Sequence, residues 1–159
     1  MEQAIISAVT HATSETKMTI SGVPDQPGIA ARVFRELAEA GINVDMIVQN
    51  VSAEGVTDIS FTVPHEYLDR AMSTGGSLST EIGATGVVSD DAIAKVSVIG
   101  AGMRTNPGVA ATMFETLADC GVNIQMISTS AIRVSCVVSE DRAEEAVTAL
   151  HESFGLSGD

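Results

Sequence analysis

Apolar positions along this chain follow two rhythms that alternate. From Lys17 the run KMTISGV sets Met18 and Ile20 between polar neighbours, the period of two expected of a half-buried strand. Gly22, Pro24, Pro27 and Gly28 end that run, and Ile29, Ala30, Val33, Phe34, Leu37 and Ala38 then recur on one helical face. Pro27 stands where a first helical residue belongs, and Gly41 supplies a left-handed stop. A short apolar run (INVDMIVQNV), a β-rich run (TDISFTV) and a second helical stretch come next. The predicted unit is β-α-β-β-α.

The same order then returns. Residues 27–47 and 107–127 align without a gap at 11 identities in 21, with Ile29 matched by Val109 and Val44 by Ile124. Val109, Ala110, Met113, Phe114, Leu117 and Ala118 repeat the helical face, with Asn106 as the predicted N-cap, Pro107 at the first position and Gly121 at the stop. KVSVIGA from Lys95 matches KMTISGV, and VSCVV from Val134 matches ISFTV from Ile59, so the duplicated module is about 75 residues long. In the second unit Ala143, Ala146, Val147 and Leu150 predict a last helix over Asp141–Phe154. In the first, Gly75 and Gly76 predict only a short helix, Glu66 to Met72, with an irregular segment over 73–85.

A β-α-β-β-α-β unit is the ferredoxin-like arrangement, an α+β fold of four antiparallel strands with two helices on one face of the sheet. The first unit finds its last strand in GATGVVSD, but the second has only GLSGD left after Phe154. Meanwhile QAIISAVT alternates as a strand at the N-terminus and has no place in the first unit. We therefore expect residues 3–10 to be the fourth strand of the second unit. The first domain, 17–92, is then an insertion in the second, 1–16 plus 93–159.

Composition narrows the function. The 159 residues carry a net charge of −13, from 21 acidic against 8 basic side chains, with only four Phe and one Tyr. Such a surface repels phosphate backbones and anionic membranes and offers little for base stacking, so neither nucleic acid nor membrane is an expected partner. No apolar run reaches the roughly 20 residues of a membrane span, and no basic start precedes the first apolar stretch; the expected location is the cytoplasm. Cys120 and Cys136 fit no metal spacing and read as buried, reduced thiols. His11, His65 and His151 suggest neither a metal nor a triad and read as solvated. No metal or cofactor is expected.

A ferredoxin-like unit can hydrolyse acyl phosphates, which calls for an arginine in a glycine-rich loop. SGVPDQPG has none; GAGMRTNPG has Arg104, but its partner repeat does not share it. Binding has more support. Both units set a Pro-Gly loop before a helix, where free N–H groups and the helix dipole attract a carboxylate, while Asp25 could receive an ammonium group. Asn43 and Asn123 could add amide contacts at the start of the next strand. Equally, Asp25 can serve to brace its turn and Asn43 to follow a helix stop.

VPDQPGIAARVF, AGINVDMIVQNVS and TDISFTV, then VSVIGAGMRTNPGVAATMFETLADCGVNIQMISTSAIRVSCVV, together resemble the paired ACT domains of the aspartate kinases over essentially the whole chain. The likeness is nearest to the short regulatory β subunits of the α2β2 enzymes. It implies an allosteric regulatory chain that is not itself an enzyme, binding threonine, with lysine as a second candidate effector, for feedback inhibition of aspartate phosphorylation. The implied partners are a second copy, through the ACT domains, and the catalytic α chain. The implied effector site joins Asp25, Gly28, Ile29, Ala30 and Gln49 to Asn123 and Ile124 of another chain. A second site would use Asn43, Val44, Met103, Thr105, Asn106 and Pro107. The chain departs from that family at Met72–Thr85, glycine-rich where a longer helix is usual. The alternative reading is a free-standing double-ACT amino-acid sensor attached to no kinase.

Overall fold

The computed structural model describes residues 5–103 and 106–156. It divides into an inserted unit, residues 14–91, and a split unit made of the residues up to 13 and those from 92 onward. Strand β1 (Ile5–Ala12) opens the split unit. The inserted unit runs β2 (Glu15–Pro24), α1 (Ile29–Glu39), β3 (Ile47–Gln49), β4 (Val56–Pro64), α2 (Leu68–Ile82) and β5 (Gly86–Asp90). The split unit resumes with β6 (Ile93–Ala101), α3 (Gly108–Asp119), β7 (Met126–Thr129), β8 (Arg133–Ser139) and α4 (Ala143–Ser153).

Each unit is a four-stranded antiparallel sheet with two helices, ordered β3-β4-β2-β5 in one and β7-β8-β6-β1 in the other. The N-terminal strand therefore does in the split unit what β5 does in the inserted one. Val9 faces Val98 as Val87 faces Ile20. The strand runs on to Ala12, past the predicted 3–10 span, and residues 3 and 4 lie outside the described residues. Gly100 is needed for this pairing, because any Cβ there would run into the Ile5 carbonyl. His151, expected in solvent, is half-buried and donates from Nε2 to the Val9 carbonyl at 3.2 Å, tying α4 to β1.

The two cores keep the helical periods of the sequence, with exceptions. Val33 and Leu37 of α1 pack with Met18, Ile20, Ile59 and Phe61, and the Phe34 ring meets Phe61 edge-on at 5.7 Å. Met113, Leu117, Ala146 and Leu150 do the same over Val96, Val98 and Cys136. Ala38 and Ala118, placed on the apolar face by spacing, are exposed at their helix ends. Pro27 and Pro107 precede the helices rather than start them; Asn106 holds its turn by accepting the Gly108 N–H at 3.3 Å. Both stops at Gly41 and Gly121 are left-handed. At each helix end an arginine from the start of the unit's second helix caps a free carbonyl: Arg70 donates to the Ala40 carbonyl and Arg142 to that of Cys120.

Helix α2 corrects the sequence reading. It continues through Gly75 and Gly76 to Ile82 and stops only at Gly83, whose φ is +76°. Its buried face is Ala71, Gly75, Leu78 and Ile82. Gly75 is buried on this face, and a Cβ there would stand at ordinary contact distance, 3.4–3.5 Å, from Val87 and Met18. Packing of the face outweighs the roughly 1 kcal/mol that each glycine costs a helix.

Two glycines predict opposite outcomes. Gly76 has open space where a Cβ would go, so Gly76→Ala should raise stability by about 0.5–1 kcal/mol in denaturant melts. Gly22 has φ +64° and the Thr85 hydroxyl where its side chain would be, so Gly22→Ala should destabilise by more than Gly76→Ala gains. The thiols give a second check. Burial pushes Cys136 up to about 12, and it is fully buried, while Cys120 is half-buried. At pH 8 an aqueous thiol reagent should modify one thiol of the folded chain and the second only on unfolding; two fast thiols would contradict the packing of β8.

Candidate functional site

The loop between β2 and α1 is built by residues that cannot continue a strand. Pro24 ends β2, Gln26 N–H turns back onto the Pro24 carbonyl, and Gly28 takes φ +92° to start the helix. Ile29 N–H bonds the Gln26 carbonyl and Arg32 N–H that of Gly28. The N–H groups of Gly28 and Ala30 have no backbone acceptor among the described residues, as expected of a first turn. Asp25 is held by its own N–H, which donates to the Gly55 carbonyl at 3.0 Å.

Beside this loop lies a cavity of about 380 Å³. Asp25, Gly28, Ile29, Ala30 and Gln49 all line it. Asp25 is its one ionisable lining residue among the described residues, and Val23, Ile29 and Ile59 give it an apolar wall. Sequence reasoning missed Ile59. Register was the signal: β3 pairs with β4 so that Gln49 stands opposite Ile59. The volume lies at the small end of ligand sites, suited to a metabolite of amino-acid size. A carboxylate residue and the N–H groups of a helix start, lining one cavity, are the two kinds of group that suit the charges of a zwitterion.

The remaining expected site residues are placed elsewhere. Asn123 and Ile124 belong to the split unit, Asn123 exposed and Ile124 half-buried against that core. Of the second set, Asn43 is exposed and Val44 half-buried in the inserted unit. Met103 is buried within the core of the split unit, Asn106 holds the α3 turn, and Pro107 is exposed. Thr105, with Arg104, lies outside the described residues. Among the described residues no cluster of His, Cys, Asp and Glu could hold a metal, and no helix is long and apolar enough to cross a membrane.

Comparison with known proteins places this architecture. The ACT domain family model matches twice, over residues 18–74 and 96–154. The aspartokinase of Mycolicibacterium smegmatis is 52% identical over 161 aligned positions, covering all of this chain but 38% of that protein. An aspartate kinase of Pseudomonas fluorescens is 51% identical over 156 positions, again 38% of its length. The chain thus spans less than half of the curated relatives it matches. Among solved structures, the aspartokinase alpha and beta subunits align with a TM-score of 0.90 at 41% identity, covering 96% of this chain and 100% of that one. The ligand-free regulatory subunit of aspartate kinase from Thermus thermophilus gives 0.90 at 39% identity, covering 94% and 98%. With both repeats matched and the likeness confined to the regulatory part, the chain belongs to the ACT-domain family, as the paired-ACT regulatory region of the aspartokinases.

Proposed function

We propose that this chain binds a free amino acid in the cavity beside Asp25 and thereby restrains an aspartate kinase catalytic domain, closing a feedback loop on aspartate-derived amino acids. The observation that carries the reading is the cavity itself: a space of amino-acid size lined by one carboxylate residue and by a helix start whose Gly28 and Ala30 N–H groups have no backbone acceptor among the described residues. Asp25 receives the ammonium and the Gly28–Ala30 turn holds the carboxylate, each a charge-assisted hydrogen bond. Threonine is the leading effector. Its methyl suits the wall of Ile29 and Ile59, and its hydroxyl suits the Gln49 amide. Lysine is the second candidate.

The exposed positions of Asp25 and Gln49 support a site completed by a second copy, which would bring Asn123 and Ile124. An effector held between two copies favours whichever assembly brings them together, and that is how occupancy is relayed to a catalytic chain in an α2β2 enzyme of the cytoplasm.

Calorimetry of the chain with threonine, lysine, methionine and isoleucine, singly and in pairs, tests the reading. Threonine should bind, and its addition to chain plus catalytic partner should slow aspartate phosphorylation. Asp25→Ala and Gln49→Ala should each weaken threonine by roughly ten- to a hundredfold, the loss of about 1.5–3 kcal/mol for a bond to a charged or buried polar group, with the melting temperature unchanged. Affinity unchanged from the parent chain in both variants would refute the pocket assignment.

A further inference from the structure

The cavity has two lips from distant parts of the chain, Asp25 after β2 and Gln49 at the end of β3, and both lead to one residue. Between β2 and β4, Ile20 faces Ile59 and Val23 faces Thr57, so Ser21 and Gly22 together oppose Asp58 alone. This is a β-bulge with its glycine at φ +64°, which bends the strand and re-aims the residues after it. The bulge leaves the Gly22 N–H without a ladder partner, and Oδ1 of Asp58 accepts it at 3.0 Å. Thr85 closes the other side, its N–H donating to the Ser21 carbonyl at 2.8 Å. Three residues beyond the bulge comes Asp25. On the second lip, Asn50, next after Gln49, donates its N–H to the main-chain carbonyl of Asp58 at 3.3 Å.

The split unit handles the equivalent place differently. Gly100, aligned with Gly22, donates its N–H to the main-chain carbonyl of Ile132 at 2.9 Å, and the residue aligned with Asp58 is Arg133. The side-chain acceptor is confined, among these two repeats, to the unit whose helix-start loop lines the described cavity.

We propose that Asp58 is a positioning residue of the amino-acid site: its carboxylate locks the Gly22 bulge that presents Asp25, while its carbonyl holds the strand end that presents Gln49. This rests on the reading of the cavity as an amino-acid site. Asp58 is exposed, so its role needs an acceptor oxygen rather than a charge. Asp58→Asn keeps that oxygen. Asp58→Ala removes it and leaves Gly22 N–H to water, so that Asp25 is less well held.

The test titrates threonine and lysine into the full chain and both variants, and records amide ¹H–¹⁵N spectra without ligand. Asp58→Ala should weaken the bound amino acid at least tenfold at an unchanged melting temperature, and Asp58→Asn should stay within threefold of the parent. The amides of Gly22, Asp25 and Gln49 should shift in the alanine variant and return in the asparagine one. Unchanged affinity in Asp58→Ala, equal loss in both variants, or an alanine chain that does not fold would each overturn the proposal. If the parent chain binds no amino acid, the reading of the cavity fails separately. The spectra then decide the role of Asp58, with unmoved Asp25 and Gln49 amides counting against it.

Discussion

An antiparallel sheet one strand short leaves a row of amides and carbonyls without partners, and β6 would present that row if β1 were absent. Everything in the split unit is organised around filling that place. The register with Val9 opposite Val98 puts an apolar side chain of β1 into the core. Gly100 has no side chain, so the Ile5 backbone can approach it, and His151 reaches from α4 to fasten the strand from behind. The inserted unit meets the same demand from one continuous stretch with β5, where Val87 stands opposite Ile20 and Gly22, aligned with Gly100, leaves room for Thr85.

Duplication gave both units a Pro-Gly loop before a helix, but the surroundings of the two loops have diverged. The β3–β4 connection spans residues 50–55, and the β7–β8 connection only residues 130–132. The longer one brings the Gly55 carbonyl to the Asp25 N–H and so forms part of the frame of the cavity. Its turn is made by Glu54 and Gly55, both at positive φ, a conformation costly for the glutamate and free for the glycine. The loop that lines the described cavity thus differs from its repeat in its neighbours, and not only in the repeated motif itself.

Most of the fold could be read from the sequence because it is written twice. Strand alternation around Met18 and Val96, helical faces ending at Gly41 and Gly121, and a strand left over at the N-terminus suffice to lay out two like units. What misled was a local propensity set against a long-range contact. Gly75 weakens a helix by itself, but Ala71, Gly75, Leu78 and Ile82 keep helical spacing and are buried together, and Met18 and Val87, which pack beside Gly75, come from other strands. The candidate site was legible where it coincided with the Pro-Gly motif. Ile59 and the bulge at Gly22 were not, because both depend on the register between β2, β3 and β4, which no single segment contains.

The split placement of β1 also sets an order of assembly during synthesis. Its partner β6 begins at Ile93, after the whole inserted unit through Asp90 has been made. The inserted unit closes on itself with pairings drawn from one continuous stretch, so it can complete its core while β1 still has no neighbour. A strand made before the inserted unit is therefore among the last to find its place, and until then Ile5 and Val9 are carried on an unpaired edge. The unit that carries the candidate cavity can be finished before the one that shares its ancestry.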